Sequence, residues 1–229
     1  MKTKLLIIFL VIISTASYAQ TNGDYNYSIG VRGYNYVQMP DVLNQTNNDN
    51  YVDTYFSSYI VKFNDNLFSY RLNGSYLKKD YKFYNNCESC ELGDGEMKDF
   101  SFKVGFEKSF NYAVIQPYFA FDLGYRSNKF KGVLASINQD GQTDPGPVYN
   151  LHATKEGLTI TPVIGIKVNP VKQLSIFVES NLEFFYAYER QERVTNGIPN
   201  SLTLNKYKKS EYLINPVALG IQIHLDAKN

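Results

Sequence analysis

The chain has 229 residues with 23 Lys and Arg against 22 Asp and Glu, a formal net charge of +1, which indicates neither a polyanion-binding surface nor an acidic tail. It is rich in aromatics, 20 Tyr and 15 Phe without a Trp, and once a short leader is set aside the remaining ~210 residues are the size of one domain. Beyond Ile13 no segment approaches the roughly 18 to 20 apolar residues of a membrane helix; a membrane strand needs only about 10, every second one facing lipid, so strands stay open.

The first element is a leader. Lys2 and Lys4 precede an apolar run from Leu5 to Ile13, and small residues follow, ending in Ser17-Tyr18-Ala19. This is the order of a secretory signal peptide, with cleavage expected between Ala19 and Gln20. Residues 1–19 are therefore expected to be removed and 20–229 to form one barrel domain. No Cys follows the expected cleavage point directly, so a lipid anchor is not expected.

Eight strand-like stretches follow. The first, about 24 to 37, sets Tyr25, Tyr27, Ile29 and Val31 against Asn26, Ser28, Gly30 and Arg32. A polar stretch leads to the second, about 51 to 63, where Val52, Phe56 and Ile60 compete with Tyr55, Tyr59, Val61 and Phe63 for the apolar face. Its facing is open. Asn64-Asp65-Asn66 is a tight-turn sequence, since Asn and Asp tolerate left-handed backbone. The third strand, about 67 to 83, sets Phe68, Tyr70, Leu72 and Tyr76 against Ser69, Arg71, Asn73 and Ser75, and a loop is expected from 84 to 96. In the fourth, Phe100, Phe102, Val104 and Phe106 oppose Ser101, Lys103, Gly105 and Glu107.

After a short turn near Asn111 comes a fifth strand with Ile115, Phe119, Phe121, Leu123 and Tyr125 against Gln116, Tyr118, Asp122 and Arg126. Gly141, Pro145, Gly146 and Pro147 mark the connection 131 to 155 as irregular. The sixth strand sets Leu158, Ile160, Ile164, Ile166 and Val168 against Thr159, Thr161, Gly165 and Lys167. Asn169-Pro170 starts a turn into the seventh, where Leu174, Ile176, Val178, Leu182, Phe184 and Tyr186 oppose Ser175, Glu179, Asn181 and Glu183. The last closes with Val217, Leu219, Ile221, Ile223 and Leu225 between Ala218, Gly220, Gln222 and His224.

Short connections follow the even strands and long polar ones the odd strands, the layout of an outer-membrane barrel with short periplasmic turns and long external loops. The charged residues Arg32, Arg71, Lys103, Glu107, Asp122, Arg126, Lys167, Glu179 and Glu183 all fall on polar faces. A soluble lipocalin-like barrel shows the same alternation turned inside out. Long strands and aromatics near strand ends, such as Phe83 with Tyr84, Phe110 with Tyr112, and Phe184 to Tyr188, favour the membrane form. The expected fold is all-β: an eight-stranded antiparallel up-and-down transmembrane barrel. Phe102, Phe106, Phe119, Phe121, Ile164, Ile166, Ile176 and Leu219 are expected to face lipid, and the nine charges to fill the lumen as an ionic network. The alternatives are a narrow pore or barrel accessory of a transport or secretion machine, and an exported soluble lipocalin-like ligand-binding barrel.

Tyr18-Ala19-Gln20, the Tyr and Asn richness, and the closing Pro216-Val217-Ala218-Leu219-Gly220-Ile221-Gln222-Ile223-His224-Leu225 resemble the barrel-domain proteins of Bacteroidetes outer membranes. Their architecture is similar to the OmpA transmembrane domain and OmpX. The resemblance covers the mature chain and rests on patterns. It implies a Gram-negative outer-membrane location, lipid and the barrel-assembly machinery as partners, and no enzymatic activity. The chain departs from many such barrels in that Asp226-Ala227-Lys228-Asn229 follows the last strand in place of a terminal aromatic.

The remaining candidates are few. Cys87 and Cys90 form Cys-Glu-Ser-Cys, read first as a loop disulfide in an oxidising compartment, with free thiols and a metal or redox site as alternatives. His152 and His224 are expected to be solvated. Gly93-Asp94-Gly95-Glu96 is read as a loop tip. No catalytic residue, metal site, cofactor or nucleic acid is expected, and the chain is expected to be a monomer.

Overall fold

A computed structural model describes residues 25–43, 51–84, 91–136, 148–195 and 201–227. Its elements are β1 (Tyr25–Gln38), β2 (Tyr51–Asp65), β3 (Phe68–Tyr84), β4 (Glu91–Ser109), β5 (Ile115–Ser136), β6 (Tyr149–Val171), β7 (Leu174–Thr195) and β8 (Thr203–Ala227). Each strand pairs antiparallel with its sequence neighbour, and β8 returns to β1 to close the ring. The connections after β2, β4 and β6 are short, and Asn66 takes the left-handed φ of 56° that the first of them requires. The start of β1, the end of β8 and these turns share one end of the barrel, here the short-turn end; the opposite one is the long-loop end.

Several strands run well past the sequence-based bounds. The expected loop 84 to 96 is largely β-ladder, with Lys82 opposite Asp94 and Asp80 opposite Glu96. The expected irregular connection 131 to 155 is strand as far as Ser136 and again from Tyr149. Toward the long-loop end the sidedness of the alternation reverses, and this hid the extra length. In the short-turn half of β4, Phe100, Phe102, Val104 and Phe106 point outward while Ser101, Lys103 and Glu107 point inward. Farther along, Lys98 points outward and Met97 is 2% exposed inside. On β5, Lys129 and Lys131 lie outside while Phe130 and Leu134 are buried.

The barrel therefore has two kinds of interior. The long-loop half encloses an apolar core built on Met39, Val42, Phe83, Met97, Phe130 and Leu134. The Phe83 and Phe130 rings meet edge to face at 5.2 Å, a preferred aromatic geometry. Phe83 thus belongs to the interior and not to an outer girdle. Gly93 is required beside it, because a Cβ there would run into the Phe83 ring. In the Phe184 to Tyr188 run, Phe185 is likewise buried while Phe184, Tyr186 and Tyr188 face outward.

β2 has a single resolution of its competing faces. The pairing with β1 slips between Arg32 and Tyr34, and Phe56 sits at φ 50°, a left-handed value rare for a bulky residue. Tyr55, Phe56, Tyr59 and Phe63 are exposed as a result, while Val52, Thr54, Ser58, Ile60 and Lys62 point inward. The bulge moves Phe56 to the outer face with Tyr55, Tyr59 and Phe63, and leaves Val52 and Ile60 inside.

Candidate functional site: the charged interior

The short-turn half of the barrel is filled by polar side chains from every strand. At its floor, His224 stands between two hydroxyls, Ser28 Oγ at 2.8 Å from Nδ1 and Ser175 Oγ at 2.6 Å from Nε2. Tyr25 stacks on the imidazole at 5.7 Å instead of joining the outer face. His224 is 4% exposed, so the expectation of a solvated histidine is wrong for it: residue 224 follows the inward parity of Gln222. His152 is on the outer face of β6, 3.7 Å from Glu192, and lies in a strand, not in a loop.

Above the floor, two carboxylates organise the cations. Glu107 accepts from Lys62 and Lys167 at 2.6 Å each and from Arg71 at 3.3 Å. Glu179 accepts from Arg32 at 2.8 Å and from the Tyr118 hydroxyl at 3.0 Å. Arg71 is fully buried and spans the lumen, reaching Glu107, Glu179 and Asp122 within 3.3 Å. Tyr118 closes the remaining space because Gly165 faces it across the ladder; a Cβ at Gly165 would overlap the phenol ring.

A second cluster lies toward the long-loop end. Glu183 receives Lys103 and accepts from Arg126 at 2.6 Å, and Arg126 also binds Asp99 through Nε at 3.0 Å. Asn73 ties Arg71 to Asp122 within the first cluster, donating to Asp122 at 2.9 Å and accepting from Arg71 at 3.4 Å. Higher still, Lys155 reaches Glu211 and the carbonyl of Asp41, and Lys209 reaches Glu189. An ionised group removed from water costs several kcal/mol unless paired, which is why both signs occur at every level.

The structure places Arg32, Arg71, Lys103, Glu107, Asp122, Arg126, Lys167, Glu179 and Glu183 inside the barrel, each in an ion pair with another member. Sequence reading missed Lys62, Asp99, Lys155, Glu189, Lys209 and Glu211 as members. Asp99 shares the parity of Ser101 and Lys103 and was legible; Lys62 was hidden by the bulge in β2. Phe102, Phe106, Phe119, Phe121, Ile164, Ile166, Ile176 and Leu219 all lie on the outer face, Ile164 at 65% exposure. Asp94 and Glu96, read as a loop tip, are rungs of β4 that pair with Lys82 at 2.9 Å and Lys78 at 2.8 Å. Cys87 and Cys90 lie outside the described residues.

The histidine nearest a serine has hydroxyls on both ring nitrogens and no carboxylate among its hydrogen-bond partners. Among the described residues no His, Cys, Asp and Glu group has the makings of a metal site. The arrangement can hold charge, exclude water and brace the wall.

An all-β, eight-stranded antiparallel up-and-down ring with a charged interior and an apolar outer face is the architecture of an outer-membrane barrel. The chain is similar in fold to the crystal structure of the outer membrane protein OprG from Pseudomonas aeruginosa, with a TM-score of 0.51, 10% identity, and coverage of 90% of this chain and 100% of that one. No family model matches the sequence. No curated protein matches it either.

Proposed function

We propose that this is an integral protein of a Gram-negative outer membrane, exported by a cleaved signal peptide, which spans the bilayer as a closed, non-enzymatic monomer. Its long loops lie outside the cell and serve surface interaction or envelope integrity; its short turns lie in the periplasm. Its partners are outer-membrane lipid and the machinery that assembles barrels there. The observation that carries this reading is the outer face of β5, apolar from Ile115 to Tyr125 and charged at Lys129 and Lys131. About 11 residues at ~3.3 Å each, tilted by ~40°, rise roughly 25 to 28 Å, the height of the apolar band of such barrels.

The interior favours a closed barrel over a pore. The Arg71 network fills the short-turn half and the apolar core fills the long-loop half, so an ion crossing the lumen would have to displace both. The expected outcome is heat-modifiable gel mobility, insertion into vesicles, and no steady conductance in planar bilayers. Sustained single-channel openings would replace this reading with a narrow pore. A mature chain soluble without detergent would replace it with a soluble ligand-binding barrel.

A further inference from the structure

The barrel wall is unevenly sewn. β3 and β4 pair along all of β3, from Phe68↔Lys108 to Tyr84↔Leu92, whereas β2 and β3 pair only from Asp65↔Phe68 to Ser58↔Ser75. Beyond that rung the described part of β2 pairs with β1 alone and that of β3 with β4 alone. A seam therefore opens toward the long-loop end between residues 51–57 and Tyr76–Tyr84.

Behind the seam lies a polar cavity of about 70 Å³, with Ser57 and Ser58 on one lip and Ser75 and Tyr76 on the other. Arg32, Lys103, Asp122, Arg126 and Glu183 contribute to its inner walls. The charges there are not equally accessible. Arg32 and Lys103 keep 11% and 12% of their side chains exposed, while the carboxylates that line the cavity, Asp99, Asp122 and Glu183, keep 8%, 2% and 2%. An entering group thus meets the two cations before the better-buried carboxylates. Below the cavity stands the fully buried Arg71; above it, Val37 and Leu77 pack against the apolar core.

Outside, the seam is rimmed by Tyr55, Phe56, Tyr59 and Tyr76, exposed by 56% to 67%. The first outward charge on β3, Lys78, comes two residues past Tyr76, so the mouth sits where the aromatic belt gives way to the charged extension. A small anionic head and an apolar chain would each find a matching surface there. We propose that the seam is a lateral binding port for a single-chain amphipath with a carboxylate head, the head lying between Arg32 and Lys103 and the chain along the outer aromatic rim. The port rests on the membrane placement proposed above.

The test uses the mature chain in non-ionic detergent and stearate carrying a nitroxide on its chain, with quenching of tyrosine fluorescence as the readout. Saturable one-to-one binding is expected, at least tenfold tighter than for the methyl ester or for an alkyl-trimethylammonium of equal length. Arg32→Gln should weaken it about tenfold. Because Arg32 also braces Glu179, a second variant guards against misfolding: a Cβ at Gly74 meets nothing within 4 Å, so Gly74→Phe should fold, cover the mouth and abolish binding. Equal binding of stearate, ester and cation would overturn the port, as would undiminished binding to a folded Gly74→Phe protein. Vesicle insertion is scored in parallel. A chain that inserts but ignores stearate overturns the port alone, and one that binds stearate but never inserts overturns the membrane placement.

Discussion

Glu107 shows how much a single residue can carry in this interior. Three cations, Lys62, Arg71 and Lys167, converge on its carboxylate, and all four side chains are at most 1% exposed. Removing one partner of a buried ion pair typically costs about 3–5 kcal/mol, because the charges left behind stay desolvated. Glu107→Ala is expected to lose that much in urea unfolding measured in non-ionic detergent, and a loss below about 1 kcal/mol would mean that the cations relax outward. Such a residue was easy to place from sequence, since Glu107 lies at the end of an unbroken Phe and polar alternation. Lys62 was not, because the left-handed Phe56 scrambles the pattern that would have assigned it.

Among the elements, the β3–β4 pair holds a surface ladder whose central residue, Glu96, sequence reading treated as loop. Lys78 and Lys98 flank Glu96 at 2.8 and 3.0 Å. Hydrogen bonds from these lysines hold the Glu96 carboxyl below the usual range, and the bond to Glu96 raises Lys78. A carboxylate with a lowered folded pKa contributes stability above its unfolded pKa and loses it as pH falls through the folded one; a raised lysine contributes below its unfolded pKa and loses it as pH rises through its folded one. The ladder is therefore intact at neutral pH and fails at both extremes. In an NMR titration Glu96 should protonate below an ordinary glutamate, and Lys78→Met should move its midpoint back up; an unmoved midpoint would remove Lys78 as the cause. The Gly-Asp-Gly-Glu run looked like a tip because glycine usually punctuates, whereas Gly93 serves here to admit Phe83.

For the whole molecule, the decisive property is that one set of strands carries two outer surfaces, apolar toward the short turns and charged in the extensions of β3 to β5. The same alternation carries Ile164 outward in the belt and Thr154 outward in the extension of β6. In the proposed membrane setting, Ile164→Arg should cost about 2–4 kcal/mol in folding into vesicles, as charges facing lipid near the midplane do. Thr154→Arg should stay within about 0.5 kcal/mol, as surface changes usually do. Equal costs at the two sites would mean that both halves face the same medium.

The sequence by itself determined the strand number, the order of short and long connections, and which way the nine lumen charges and eight apolar residues point. These are local consequences of a period of two and of turn chemistry at Asn66 and its counterparts. Only the tertiary structure decided where the strands end, which charges meet, and that the wall opens between β2 and β3. Strand length was masked because the inside turns apolar where the outside turns charged, and a reversal of sidedness reads locally as a break. Partners such as Arg71 and Glu179, 108 residues apart, are set by the closure and stagger of the ring, and a single strand carries no record of either.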